Sequence, residues 1–197
     1  MYLKCNFTNR FLYSTLAESS DEYILSLIHN KNSKNYGFSL LVQKYQEKIY
    51  WLIRHMLIDH DDTNDAVQEV FIKVWNNIQN FREDSQFYTW IYRIATNEAL
   101  SVLRKKKNLF FLPIVNVEKK LIESLTDDNY FNGDQIQMKL QKAILELPPK
   151  QRLIFNMKYF GALKYEEIAE ITGTSVGALK ASFHLAVKRI EKYLTVH

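Results

Sequence analysis

The fold class this sequence predicts is all-α: two small helical domains joined by a flexible linker, the second of them a helix-turn-helix. Three observations predict it. Gly 5 and Pro 3 in 197 residues leave few turn-formers, so helices should dominate. Through most of the chain apolar residues recur at three- and four-residue spacing, the period of a helix buried along one side. Between Asn108 and Gly133 that period fades among Pro113, Asn116, Asp127, Asp128 and Asn129, as in an interdomain connection. The expected divisions are an N-terminal extension over 1–18, a helical domain over 19–107, a linker over 108–134 and a second helical domain over 135–197. A linker of roughly 25 residues is long for a compact fold and is expected to be flexible.

Residues 1–18 are rich in aromatics but lack a clean period. Ser19 followed by Glu22 resembles a capping box and opens a first helix through Leu25, Leu27 and Ile28. A polar connection, 29–35, leads to a second helix from about Tyr36 to Leu57, with Phe38, Leu41, Val42, Tyr45, Ile49, Leu52, Ile53 and Met56 on one side. Asp61 or Asp62 is placed to cap a third helix over about Asn64–Ile78, whose apolar face is Ala66, Val67, Val70, Phe71, Val74 and Trp75. After a polar stretch, 79–87, a fourth helix over about Tyr88–Lys106 carries Trp90, Ile91, Ile94, Ala95, Ala99, Val102 and Leu103. It ends in Arg104–Lys107, where positive charge suits a helix C-terminus. Helical pattern resumes over Gln135–Glu146, breaks at Pro148–Pro149, returns over Gln151–Tyr159 and stops at Gly161.

The C-terminal stretch is the most specific. Tyr165–Ile171 reads as a short helix, Thr172–Ser175 as a tight turn and the residues from Val176 as a second helix. That is the sequence form of a helix-turn-helix, a unit that lays its second helix in the major groove of DNA. Ile168, Ala169 and Ile171 supply an apolar stripe, Gly173 suits the positive backbone angle of the turn, and Ser175 suits the cap. Leu179, Phe183, Ala186, Val187 and Ile190 recur at inward spacing, while Lys180, Ser182, His184 and Lys188 fall largely on other faces.

Composition narrows the function classes. A net charge of +4 mildly favours an anionic partner. The single Cys5 forms no internal disulfide, which fits a reducing compartment. No stretch approaches the ~20 apolar residues of a membrane span, and residues 1–17 make a poor signal peptide, so a cytoplasmic site is expected. The acidic group Asp59, Asp61, Asp62, Asp65 and Glu69 lacks zinc-ligand spacing and the ordered carboxylates of a calcium loop. Helix capping and a solvated helix start account for it, and no metal or cofactor is expected. No phosphate loop or nucleophile elbow appears, and no enzyme is expected. Phe81–Arg93 mixes aromatic and basic residues in the manner of single-strand binders, whose rings stack on bases while cations hold phosphates; a core role for Phe87, Trp90 and Ile91 competes with that reading.

Two stretches together resemble a known family. Asp65-Ala66-Val67-Gln68-Glu69-Val70-Phe71-Ile72-Lys73-Val74-Trp75, followed by the run from Phe81 to Asn97, looks like the core-binding and −10-reading domain of bacterial sigma factors. Leu147-Pro148-Pro149-Lys150-Gln151-Arg152 with the helix-turn-helix looks like the −35-reading domain. The order and the two-domain length match the extracytoplasmic-function group, over about Asp21–Leu194. The resemblance implies that Asp65, Gln68, Glu69, Phe71 and Lys73 dock on core RNA polymerase. It implies that Phe81, Arg82, Tyr92, Arg93, Asn97 and Arg104 bind and melt the −10 element, Phe81 and Asn97 forming a pocket for an extruded base. Promoter DNA contacts at −35 would come from Lys180, Ser182, His184 and Lys188. Ser182, Leu185 and Val187 stand where relatives often carry arginine, so those contacts should be modest and mostly electrostatic. An anti-sigma factor is a further partner the family implies. Two rivals explain less: a stand-alone helix-turn-helix regulator leaves Phe81–Asn97 unused, and a metal-dependent hydrolase would need the Asp59–Glu69 acids to converge.

Overall fold

The computed structural model describes residues 19–81, 86–109, 121, 125 and 135–196. The extension 1–18, Arg82 with its neighbours and most of the expected linker lie outside the described residues. Within them the regular elements are helices: α1 Asp21–His29, α2 Lys34–Leu57, α3 His60–Asn77, a 3-10 turn Ile78–Asn80, α4 Phe87–Leu109, α5 Gln135–Leu145, α6 Pro149–Tyr159, α7 Tyr165–Thr172 and α8 Val176–Val196.

Helix starts fall where backbone and cap chemistry meet. Ser20, not Ser19, caps α1: its backbone is extended and its hydroxyl accepts from the Tyr23 N–H at 3.2 Å. The Ser19 carbonyl is taken by the Lys44 ammonium at 2.8 Å. Asp59, not Asp61 or Asp62, caps α3, accepting from the Asp62 N–H at 2.9 Å. The reason lies one residue upstream. α2 ends by passing Ile58 through the left-handed region, at φ 65, so Asp59 is the first extended residue able to cap. α6 starts at Pro149, two residues before the expected Gln151, because proline at the first helical position lacks only an N–H that would be unbonded anyway. α7 ends in Gly173 at φ 66; space around it is open, so the left-handed angle alone is what selects glycine.

The α1–α4 unit packs around Ile24, Ile28, Leu41, Ile49, Ile53, Val70, Val74 and Ile91, each fully buried. α1 lies close on α2 at Gly37, where a Cβ would stand 2.8 Å from the Leu27 Cβ and 3.0 Å from the Ile28 backbone nitrogen. Lys73 ties α3 to α4 through Glu98, and Lys106 ties α4 back to Asp62. In the second unit α5, α6 and α8 close over Ala143, Ile144, Leu147, Phe155, Ala186 and Ile190.

The two units are not separate bodies. Ile154, Met157, Leu163, Ile168 and Leu179 of the second unit belong to the same apolar core as α1–α4. Leu121 and Leu125, within the expected linker, are buried with Ile58 and Leu145. Polar groups fix the register of this contact. The carboxamides of Gln141 and Asn156, both buried, donate to the His55 carbonyl at 3.3 and 3.1 Å. The His55 ring stacks on Phe160 with centroids 3.6 Å apart.

Candidate functional site

Three faces hold the residues singled out from the sequence. The first is on α3. Asp65 and Gln68 are exposed and Glu69 half-buried, with Ile72 beside them 53% exposed. At 100° per residue these four share one side of the helix. Next to them runs an apolar groove of about 500 Å³, walled by Phe38, Val42 and Gln46 of α2 and by Val67, Gln68, Phe71, Ile72 and Trp75 of α3. Phe71 forms part of its floor. Lys73, expected on this face, is shared: its ammonium bonds the buried Glu98 carboxylate, which holds the Lys73 pKa above its ordinary value. Lys73 also stands 3.7 Å from the Glu69 carboxylate, so it lies at the edge of this face; the groove is what the sequence reading missed. A signal for the groove was present in Ile72, an apolar residue outside the expected core face of α3.

The acidic start of α3 does not converge on a point. Asp59 is occupied as the cap and Asp62 as the partner of Lys106.

The second face runs along α4. Trp90, Arg93, Asn97 and Arg104 lie on one side of the helix, over roughly 21 Å. Asn97 and Arg104 are exposed; Trp90 and Arg93 are half-buried. Tyr92 points elsewhere. It is 5% exposed, lies edge-on to Tyr88, and burial pushes its phenol pKa up. Its place is the core, which the helical period assigns to position 92 as surely as to Ala95 and Ala99. Phe81 is half-buried against Phe87 and Trp90, ring centroids 5.2 and 5.4 Å away. Asn97 is two turns past Trp90, about 10 Å further along the axis. The Phe81 ring thus packs at the Trp90 end of this side, and Asn97 stands further along it. Arg93 has a partner in the second unit: its guanidinium donates to the Glu170 carbonyl at 2.8 Å. That carbonyl belongs to the last turn of α7, where a cation meets both unpaired carbonyls and the negative end of the helix dipole.

The third face is on α8. Leu179, Ala186 and Ile190 are buried and Phe183 half-buried, so the opposite side is free to face a ligand. Lys180, His184 and Lys188 follow one another at four-residue steps along that exposed side. Ser182 is half-buried and sits nearly opposite His184 around the helix, so it leaves the group. Lys158 joins it. The Lys158 and Lys180 ammoniums stand 5.0 and 5.8 Å from the centre of the Tyr165 ring, which gathers two cations at the start of the helix-turn-helix. Leu185, in a place expected to hold a charge in relatives, is 51% exposed.

Among the described residues, His55 is the one strongly shifted imidazole. Burial, and secondarily the Arg54 charge, push its pKa down to about 4, against the opposing effect of the hydrogen bond with Gln141. It is neutral at pH 7 and sits at the contact between the units.

Comparison with known proteins agrees in both halves. Residues 41–109 match the family described as Sigma-70 region 2, and residues 137–190 match Sigma-70, region 4. The chain is 33% identical over 169 residues to the ECF RNA polymerase sigma factor SigW of Bacillus subtilis, covering 80% of this chain and 89% of that protein. It is 31% identical over 191 residues to the RNA polymerase sigma-H factor of Pseudomonas aeruginosa, covering 91% and 96%. Among solved structures, CnrH in complex with the cytosolic domain of CnrY has a TM-score of 0.62 at 20% identity, over 92% of this chain and 96% of that one. The sigma factor RpoE in complex with the anti-sigma factor NepR from Bartonella quintana has a TM-score of 0.60 at 21% identity, over 83% and 98%. These two likenesses speak for the fold. No helix of the described residues is long and apolar enough to cross a membrane.

Proposed function

The chain belongs to the ECF sigma factors of RNA polymerase, and from that premise we propose how its three faces divide the work of a promoter-recognising subunit. The α3 face docks on core polymerase. Its composition carries the reading: an apolar groove ends in an exposed Ile72, and Asp65, Gln68 and Glu69 border it. A mixed surface of this kind, apolar at the centre and polar at the rim, suits a protein partner better than a nucleic acid. Lys73 bridges Glu69 and Glu98 at the edge of this face.

The α4 side holds the −10 element. Arg93 and Arg104 meet phosphates, Asn97 offers its amide to a base edge, and Trp90 supplies the ring on which an extruded base stacks, worth roughly 1–3 kcal/mol. Phe81 supports Trp90 from behind. Arg93 is engaged with Glu170 in the closed arrangement, so strand capture requires α7 to leave α4. Lys180, His184 and Lys188, with Lys158, hold the −35 duplex mainly through its phosphates. No guanidinium among them offers the bidentate contact that reads guanine. Melting proceeds on binding energy alone, with no cofactor.

A protein regulator of the anti-sigma kind is part of the proposal, since the similar RpoE structure is in complex with the anti-sigma factor NepR; so is a cytoplasmic site of action. The domain limits 19–107 and 135–197 carry these roles. The test is retention of the purified chain by core polymerase followed by run-off transcription across genomic promoters. Retention with promoter-specific transcripts is the expected result. Tight, specific duplex binding without polymerase, and none with it, would favour a stand-alone regulator.

A further inference from the structure

Lys180, His184 and Lys188 give α8 charge along its exposed side, and charge holds a duplex without choosing its sequence. Arg189, the single arginine of the helix, is engaged with α6: its guanidinium donates to the Gln151 side-chain oxygen at 3.0 Å. What remains on the exposed side is apolar. Ala178, Ala181 and Leu185 follow at steps of three and four residues, and all three are exposed. At 100° per residue they lie within about 60° of one another around the axis, with Lys188 beside Ala181. No acid occurs between Val176 and Arg189. Gly177, in the first turn, lies toward the same side, and the fold itself does not call for it. Its φ is not positive, and a Cβ there would meet no described atom within 4 Å. Glycine weakens a helix relative to alanine, and a bare backbone suits a surface that approaches closely from outside. With one-carbon side chains at 178 and 181, α8 can come near the floor of a groove, and Leu185 is the large apolar group that reaches it.

We propose that Leu185 is a sequence-reading residue of α8, packing against the 5-methyl group of a thymine in the −35 element with Ala181 beside it. The proposal deepens the placement of α8 on the −35 duplex made above and rests on it. In the major groove the methyl is the apolar mark of a T·A pair, and apolar side chains are what contact it. The other bases offer polar groups there, which an aliphatic side chain would desolvate without a hydrogen bond in return. Discrimination thus comes from contact with the right base and from desolvation of the wrong one. The lysines fix the helix on the phosphates, and Leu185 selects among sequences.

Deoxyuridine in place of thymidine removes the methyl and keeps every hydrogen-bonding group, so it isolates this contact. The probe is a promoter duplex identified by run-off transcription, with each thymine of its upstream element, on either strand, replaced in turn. Binding of the full chain assembled with core polymerase is measured by competition at one salt concentration. At one thymine or more the parent should lose about fourfold in affinity on replacement, the effect of one buried methyl. Leu185→Ala should lose about the same factor on the thymine duplex and bind both duplexes alike. Lys180→Ala should bind both less well and keep the difference. If upstream base changes matter but no methyl does, the apolar contact is overturned and the placement of α8 stands. If the parent is indifferent to every upstream change, the placement itself fails, and the proposal with it. Methyl sensitivity that survives in Leu185→Ala would overturn the assignment to Leu185. So would weaker retention of that variant by core polymerase with methyl sensitivity unchanged, which would place Leu185 in a protein contact instead.

Discussion

The fold treats α3, proposed here to meet polymerase, and α4, proposed to hold the −10 element, differently. The α3 face is bare of packed secondary structure: Ile72 is 53% exposed beside its groove. The α4 face is partly under the helix-turn-helix unit, with Arg93 bonded to the last turn of α7. The first can meet a partner as it stands. The second is usable only after two packed units part, and the contact to be broken includes a shared apolar core and two buried amides on the His55 carbonyl. The difference teaches an order of events in which polymerase is engaged first and DNA strands afterwards.

The strongest way to break this comparison is to unlock the second face directly. Gln141→Ala with Asn156→Ala removes both buried donors from the His55 carbonyl, a loss of about 1–3 kcal/mol for each. The free protein should expand in small-angle scattering at unchanged helicity, and should bind single-stranded −10 DNA that the parent ignores. An unchanged radius of gyration would mean that apolar contacts alone hold the units together.

Ile72→Asp is the counterpart on α3. A charge set into the groove should weaken polymerase binding by on the order of 2 kcal/mol while leaving the melting temperature near that of the parent, because the side chain is largely exposed. A competition binding curve against labelled parent chain measures it, and equal affinities would remove the groove from the docking face.

Acid should act on α4 and spare α3. The folded His55 pKa of about 4 lies below the ordinary value of 6.5. Between these values the unfolded or opened chain binds a proton that the closed chain does not. Closure is therefore unaffected above pH 6.5 and loses ground as pH falls toward 4, by up to about 2 kcal/mol at pH 5. Chemical denaturation at pH 7 and pH 5 should show the loss, and His55→Phe, which keeps a ring on Phe160, should flatten it. An equal slope in the variant would assign the pH dependence to another group.

Lys180→Ala is the smallest effect and sharpens the contrast with sequence-reading contacts. It should lower duplex affinity at all sequences alike and shallow the salt dependence by about one unit of slope. A defect confined to one base position would give Lys180 a reading role instead.

Much of this was legible in the residues. The helical periods placed all the main elements, and Gly173 marked the turn of the helix-turn-helix because only its left-handed angle requires that residue. Caps were legible in kind but not in place: nothing in the sequence announces that Ile58 turns left-handed and hands the cap to Asp59. The α8 stripe of Lys180, His184 and Lys188 follows from spacing, and the same arithmetic would have removed Ser182. Tyr92 came from the resemblance, and its position on α4 faces the core. Phe81 misled because its neighbours in sequence are polar, while its neighbours in space are Phe87 and Trp90. The packing of the two units was not legible at all. It rests on pairings such as Arg93 with Glu170 and Asn156 with His55, which no local pattern encodes.

The division of labour between α3 and α4 is tested most directly by following Asn97→Ala beside Ile72→Asp through polymerase binding and run-off transcription, on one promoter in duplex and pre-melted form. Asn97 is exposed and away from the groove. Asn97→Ala should bind polymerase like the parent, open the duplex promoter poorly and recover on the pre-melted one. Ile72→Asp should fail on both templates at limiting polymerase. Equal defects of the two variants in polymerase binding, or normal transcription by both, would contradict the assignment of separate roles to α3 and α4.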